Sequence, residues 1–308
     1  MHTPTSPSEL RINNDGENRA KWHKMLAELA EAGWAVETDG ASTTIAQTVS
    51  LIPDPAGAEP SGFAVLEALG ATEIERLLVA PLPDDVAAEN ILIGFNWTFV
   101  EAGPYCGIAR SPSRGTEGAR SIRPPEGLHG KSLKELGKFL FSTDPLSRSL
   151  GLAAVNAYWN RRDMRYPEET AKGGFAALQP PGDGVIIIGG FRGATKRLPQ
   201  ARIVEREPKP GDIPAEEAGP AIHGAKTLII TAQTLMNASL APLLPLAGPQ
   251  TRKVLLGPSA PLCPGLLAHV EEVAATVVLD PPAIERFIRE SGTMIMLDGI
   301  TESRWLAR

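Results

Sequence analysis

What this chain has little of narrows its class. No apolar run approaches the ~18 residues that a membrane-spanning helix requires, so no span is expected. The N-terminus, "MHTPTSPSELRINNDGENRA", is polar and has no apolar core of the kind a secretory signal carries. A cytoplasmic location is the expectation. Basic residues are not in excess: 30 Lys and Arg stand against 36 Asp and Glu, a net charge of -6. That balance favours solubility and speaks against a nucleic-acid partner, which would call for a basic stripe. There are two cysteines, Cys106 and Cys263, too few and too far apart for a disulfide framework or a closely spaced metal motif. The histidines His23, His129, His223 and His269 form no i, i+4 pair and have no cysteine nearby. A zinc site of the usual spacing is therefore unsupported. There is no G-x-S-x-G, no Walker-type loop and no G-x-G-x-x-G.

What is present is breakers and short apolar runs. With 30 glycines and 28 prolines, turns and loops are numerous. The first 18 or so residues read as disordered. Residues 1–60 form an N-terminal extension, with a helix predicted around Trp22, Met25, Leu26 and Leu29 and a strand in "STTIAQTVSLI". A first domain is expected over 61–175. It opens with a helix in "FAVLEALGATEIERLLVA". A strand pair follows, "NILIGFNWTFVEA" and "YCGIARSP", turning at Gly103-Pro104. Two helices close it: one begins at Ser132 with Glu135 at capping-box spacing, the other at Asp144 with Pro145 in its first turn. After a polar, breaker-rich stretch, a second domain is expected over 181–308. There "GVIIIGG", "RIVERE", "KTLIITA", "KVLLGPS" and "VAATVVLD" read as strands, mostly buried on both faces. Helices are predicted at Phe191–Leu198, Pro214–His223, Thr234–Ala247, Pro264–Val270 and in "PAIERFIRESG", and one more strand in "TMIMLDG". This alternation predicts a parallel α/β sheet.

In such a sheet, ligands bind where loops leave the carboxyl ends of the strands. Four exits stand out: Gly189-Gly190, Thr231–Asn237, Gly257–Pro264 and Asp280. Glycine admits a ligand close to the backbone, and a following helix start offers unpaired N–H groups. Thr231, Thr234, Asn237 and Ser259 add hydrogen-bonding groups, and Asp280 a carboxylate. Each has a plainer reading too. Gly189-Gly190 makes a strand-to-helix turn, and Thr234 and Asp280 cap the helices that follow. Cys263 is either a nucleophile or soft-metal ligand near a helix start, or a small buried filler. Cys106 reads as core. Asn156, inside the apolar helix "GLAAVNAYW", either faces a cleft or fixes helix packing.

The stretches "IGFNWTFVE", "CGIARSP", "GKSLKELGKFLFSTDPLSRSLGLAAVNA", "VIIIGGF", "TLIITAQTLMNASL" and "KVLLGPSAPLCPGLL" together resemble the DUF364 family, described as a heavy-metal chelation domain and usually preceded by a DUF4213 domain. The resemblance runs from Asn90 to Asp298. It implies a two-domain α/β protein. The first domain would be an α+β unit similar to the N-terminal domain of enolases, the second a Rossmann-like parallel sheet, with a ligand cleft between them. Two departures stand out. Where the family pattern reads T-G-T-T-x-x-N-G-T, this chain keeps Thr231, Thr234 and Asn237 but has Ala232 for a glycine and Gln233 for a threonine. Where the family reads G-P-S-T-P, Ala260 stands for the threonine.

Two functions follow. The first is binding of a metal ion or metal chelate, with Gly189, Gly190, Thr231, Thr234, Asn237, Gly257, Ser259, Asp280 and Asn156 as ligand-binding residues and Cys263 as a metal ligand. Scattered histidines and neutral hydroxyls suit a chelate better than a bare ion. The alternative is an enzyme acting on a small anionic or nucleotide-like substrate at the strand ends. The partner is a small molecule or chelate in either case, and homo-oligomerisation stays open.

Overall fold

The structure is a computed structural model that describes residues 10–13, 35–38, 42–46, 72–113, 127–293 and 297–308. The helix expected around Trp22 and the middle of "TMIMLDG", residues 294–296, lie outside them. The chain forms two compact units, 1–59 and 60–308.

In the first unit, β1 (Leu10–Asn13), β2 (Ala35–Thr38) and β3 (Ser42–Ala46) form an antiparallel sheet in the order β1-β3-β2. β1 falls inside the stretch expected to be disordered.

The second unit begins with α1 (Glu73–Val79), whose capping box joins Thr72 and Glu75. β4 (Asn90–Ile93), β5 (Trp97–Ala102) and β6 (Tyr105–Arg110) form an antiparallel sheet in that order. The β5–β6 hairpin turns at Gly103, whose φ of 56° suits the two-residue turns that match strand twist. α2 (Leu133–Gly137) carries the Ser132–Glu135 capping box. α3 (Pro145–Trp159) is capped by Asp144, which accepts from Ser147 N at 2.8 Å. Every residue of α3 from Leu146 to Ala157 is buried. Its close seat on β6 depends on Gly107: a Cβ there would lie 2.1 Å from Ala157 N and 2.3 Å from Ala153 O.

The remainder builds an eight-stranded sheet in the order β10-β9-β8-β11-β12-β13-β14-β7. Its strands are β7 (Glu169–Thr170), β8 (Val185–Ile188), β9 (Arg202–Glu205), β10 (Ile213–Pro214), β11 (Thr227–Thr231), β12 (Arg252–Leu256), β13 (Glu272–Val278) and β14 (Thr301–Ala307). β8 to β13 run parallel, and β14 runs antiparallel to both its neighbours, β13 and β7. The architecture is mixed α/β, a parallel-rich sheet beside a separate antiparallel one, as the strand alternation predicts. β7 joins the large sheet although it precedes the expected domain boundary.

Side chains alternate between two cores. Ile186, Ile188, Leu228, Ile230 and Leu255 join a cluster that also holds Leu78, Leu136, Leu150 and Ala153 of the antiparallel part. Val185, Ile187, Ile229, Val254 and Leu256 face the other way with Leu178 and Leu198. Both faces are buried, which is why these strands read as unbroken apolar runs.

Between the strands the helices are shorter than the periodicity predicts. The segments after β8 and after Cys263 are 3₁₀ turns at Arg192–Lys196 and Pro264–Ala268. Thr234–Ala247 breaks into α5 (Gln233–Met236), α6 (Leu240–Leu243) and a 3₁₀ turn, and Pro214–His223 into a 3₁₀ turn and α4 (Gly219–His223). Proline and the positive φ of Ala238 interrupt the ladders. The amphipathic "PAIERFIRESG" is α7 (Pro281–Arg289).

Candidate functional site at the strand exits

Strand order reverses between β8 and β11: successive strands run outward in one direction from β8 through β9 to β10, and in the other from β11 through β12 to β13. Loops leaving two such strands diverge and open a crevice at the carboxyl edge of the sheet. A small, half-open cleft of about 50 Å³ lies there, lined by Phe191, Thr231, Ala232, Gln233, Gly257, Pro258 and Ser259 from the sheet loops and by Trp97 and Arg110 from the antiparallel sheet. That space admits one small group of a ligand, the rest of which would lie in the open mouth of the cleft.

Glycine shapes two of the loops. Gly189 has φ 97°, and a Cβ on it would lie 2.7 Å from Thr231 Cγ2. Gly257 has φ 127°, and its open side faces Phe191 and Ala232. Gly190 allows the Glu205 carboxylate to approach to 3.0 Å from where a Cβ would stand. Thr234, buried, donates its hydroxyl to Thr231 O at 2.7 Å and braces the turn.

The loop "GPSAPLCP" is held from below by α3. Asn156, fully buried, donates to Ile108 O at 2.8 Å and Ser259 O at 3.1 Å. One turn on, Asn160 donates to Ala260 O at 2.8 Å and accepts from Leu262 N at 2.7 Å. Ser259 Oγ accepts from Arg110 N at 2.8 Å. These bonds supply partners to backbone groups of a loop that makes no sheet ladder.

The expected residues therefore separate. Thr231, Gly257 and Ser259 line the cleft, Gly189 and Gly190 shape its loop, and Thr234 and Asn156 brace it from inside. Asn237 lies at the far end of α5, its Oδ1 accepting from Ser239 N at 3.1 Å and Ser239 Oγ at 2.5 Å. Asp280 caps α7 through Ala283 N at 3.0 Å. Neither lines the cleft. Cys263 is fully buried in the core, and that burial pushes its thiol up to about 11. Burial also raises the thiol of Cys106. Among the described residues, no group of three His, Cys, Asp or Glu side chains is placed to hold a metal ion. The sheet helices at these exits are one-turn pieces, so the helix starts expected to receive an anion are short. A side-chain cation, Arg110, faces the cleft instead.

Sequence reasoning passed over Arg110 and Asn160. "CGIARSP" placed Arg110 on a strand, and only its pairing with Trp97 across the hairpin could have brought it forward. Asn160 stands four residues after Asn156 at a helix end, a spacing that puts both on one face.

Two family models match the chain. DUF364, described as "Putative heavy-metal chelation", covers residues 175–306, and DUF4213, with the same description, covers residues 75–159. A DUF364-family protein from Desulfitobacterium hafniense superposes with a TM-score of 0.66 at 22% identity, over 77% of this chain and 98% of that one. Another from Pyrococcus horikoshii gives 0.63 at 20% identity, over 76% and 98%. At such identity the likeness speaks for the fold. No curated protein sequence matches the chain. A family model thus matches each part of the second unit, DUF4213 the antiparallel sheet and its helices and DUF364 the parallel-rich sheet that follows, and the chain resembles DUF364-family proteins across both.

Proposed function

We propose that the protein binds a small metal chelate in the cleft at the strand exits. The observation that carries this reading is the cleft itself, at the reversal of strand order, with Thr231, Gln233, Gly257 and Ser259 on its walls. The family descriptions bring metal chelation into view. The donor set then decides the form of the cargo. A bare heavy-metal ion needs several thiolate, imidazole or carboxylate ligands converging on one point. The lining residues offer none of these, and Cys263 is sealed in the core as a thiol. Hydroxyl, amide and backbone groups suit the organic part of a chelate. The residues thus do not fit a directly coordinated metal, and the metal would enter already bound by its chelator.

The alternative, an enzyme acting on a small anionic substrate at the same edge, draws on the same cleft and on Arg110. It lacks a proton-transfer group: no His, Asp, Glu, Cys, Lys or Tyr lines the cleft among the described residues. Binding is accordingly the first reading.

Equilibrium dialysis with metal analysis tests it, using Zn²⁺ alone and Zn²⁺ with excess citrate. The citrate complex is expected to be retained by the full chain and lost in Gln233→Trp, which fills the cleft from an exposed position. Retention of Zn²⁺ alone, undiminished by Gln233→Trp, would overturn the proposal.

A further inference from the structure

Arg110 is the cation of this cleft, and its surroundings are unusual for an arginine. Its guanidinium lies over the indole of Trp97, 5.1 Å from the ring centroid. The two residues are register partners on β6 and β5. Trp97 is 5% exposed, and its Nε1 donates to Thr293 O at 3.3 Å, which fixes the ring. The backbone of Arg110 is pinned on both sides: its N–H donates to Ser259 Oγ at 2.8 Å, and its carbonyl accepts from Ser149 Oγ at 2.9 Å. Ser149 in turn bonds Thr98, and Thr98 lies 3.1 Å from Ser111 in a buried hydroxyl chain.

Apart from the Trp97 ring, the guanidinium has no partner among the described residues. Every buried or half-buried arginine elsewhere in this region has work to do: Arg148 pairs with Glu75, and Arg304 with Glu169. Among the described residues no carboxylate pairs with Arg110, and its half-buried position lowers its pKa by desolvation alone. A desolvated, uncompensated cation costs stability. At the wall of a cleft, it is compensated when an anion arrives.

We infer that Arg110 is the anion-recognition residue of the cleft, and that the ligand presents one oxyanion, carboxylate or phosphate, on a body that packs against Phe191. The inference rests on the cleft reading above and deepens it. A planar guanidinium offers a fork of N–H donors to two oxygens at once. Trp97 occupies one of its faces, which leaves the other face and edge for the ligand. Gln233, exposed on the opposite loop, adds an amide. Phe191 is partly buried and stacked edge-on against Phe175, which gives the cleft a fixed apolar wall.

The test is a solution NMR titration of the full chain that follows the Trp97 indole N–H and the Arg110 Nε–H. The probes are inorganic phosphate, benzoate and Zn²⁺ alone. Phosphate or benzoate is expected to shift both signals to saturation, and Zn²⁺ alone to leave them in place. Arg110→Met is expected to weaken the anion at least about tenfold, the loss of one charge-assisted contact, with Arg110→Lys in between. Arg110→Met is also expected to melt at the wild-type temperature or above, since its only lost partner is the Trp97 ring. Unchanged anion affinity in Arg110→Met overturns the inference; if Gln233→Trp still abolishes binding, the cleft reading survives without it. If neither anion moves the wild-type signals, the inference falls, and retention of the citrate complex in dialysis then decides whether the cleft reading falls with it.

Discussion

Cys263 shows how one residue's surroundings settle its chemistry. It stands at the start of a 3₁₀ turn, the setting that invites a reactive thiolate. Its side chain is fully buried among Leu262, Leu266 and Leu267, and desolvation outweighs the two backbone N–H contacts that favour the anion. The thiol therefore stays protonated in the native state up to about pH 11, from an ordinary value of 9.0. A native pKa raised above the unfolded one gives stability that is whole below pH 9 and drains away as pH climbs towards 11. Cys263 is expected to resist alkylation at pH 8 in native buffer and to react fully in denaturant, read by mass spectrometry of its peptide. Rapid native labelling would show the loop to open. Asn156 makes the complementary point. The apolar helix around it demands a partner for its amide, and the structure supplies two carbonyls, Ile108 O and Ser259 O. That a partner was required was legible in the sequence; which strand and loop would provide it was not.

Among the elements, α3 does the most to set the site. Its buried polar residues each hold a different piece: Arg148 the end of α5, Ser149 the backbone of Arg110, Asn156 and Asn160 the loop after β12. All this depends on the close approach that Gly107 permits. Gly107→Ala would drive a Cβ into the backbone of Ala153 and Ala157, which cannot rotate away. It is expected to cost about 3 kcal/mol, the upper end for overpacking, seen as a lower urea midpoint with unchanged slope. The strands were the easiest elements to read, because burial on both faces leaves an uninterrupted apolar run. β14 escaped notice for the opposite reason. "TESRWLA" is polar and lies antiparallel between β13 and the short β7, with only Thr301, Arg304 and Leu306 buried. The helices between strands were overestimated, because apolar spacing marks the face to be buried and not how many turns the chain completes.

At the scale of the second unit, the two sheets share one core, and an ion pair lies inside it. Arg148, 2% exposed, pairs with Glu75 of α1 and donates to Met236 O at 2.9 Å, Leu235 O at 2.6 Å and Ser142 O at 3.1 Å. It thereby ties the antiparallel part to the helix whose first residue, Gln233, lines the cleft. Arg148→Met strands a buried carboxylate and three carbonyls, and is expected to cost about 3–5 kcal/mol. The same change in a Glu75→Gln background is expected to cost less, since Gln retains the capping box with Thr72 and leaves no charge behind. Equal costs in a double-mutant cycle would show the pair to be uncoupled. The sequence by itself determined the local matters: which runs are strands, where Ser132 and Asp144 start helices, where Gly103 turns a hairpin. These follow from backbone sterics and from hydrogen bonds within a few residues. The tertiary structure alone decided that β8 and β11 lie side by side, that Arg110 of one sheet lines a cleft with Gln233 and Ser259 from the loops of the other, and that Cys263 is sealed while Arg110 has no carboxylate partner among the described residues. Burial and charge pairing are made between segments far apart in the chain, 73 residues for Arg148 and Glu75 and 149 for Arg110 and Ser259, and no periodicity along the chain encodes which segments will meet.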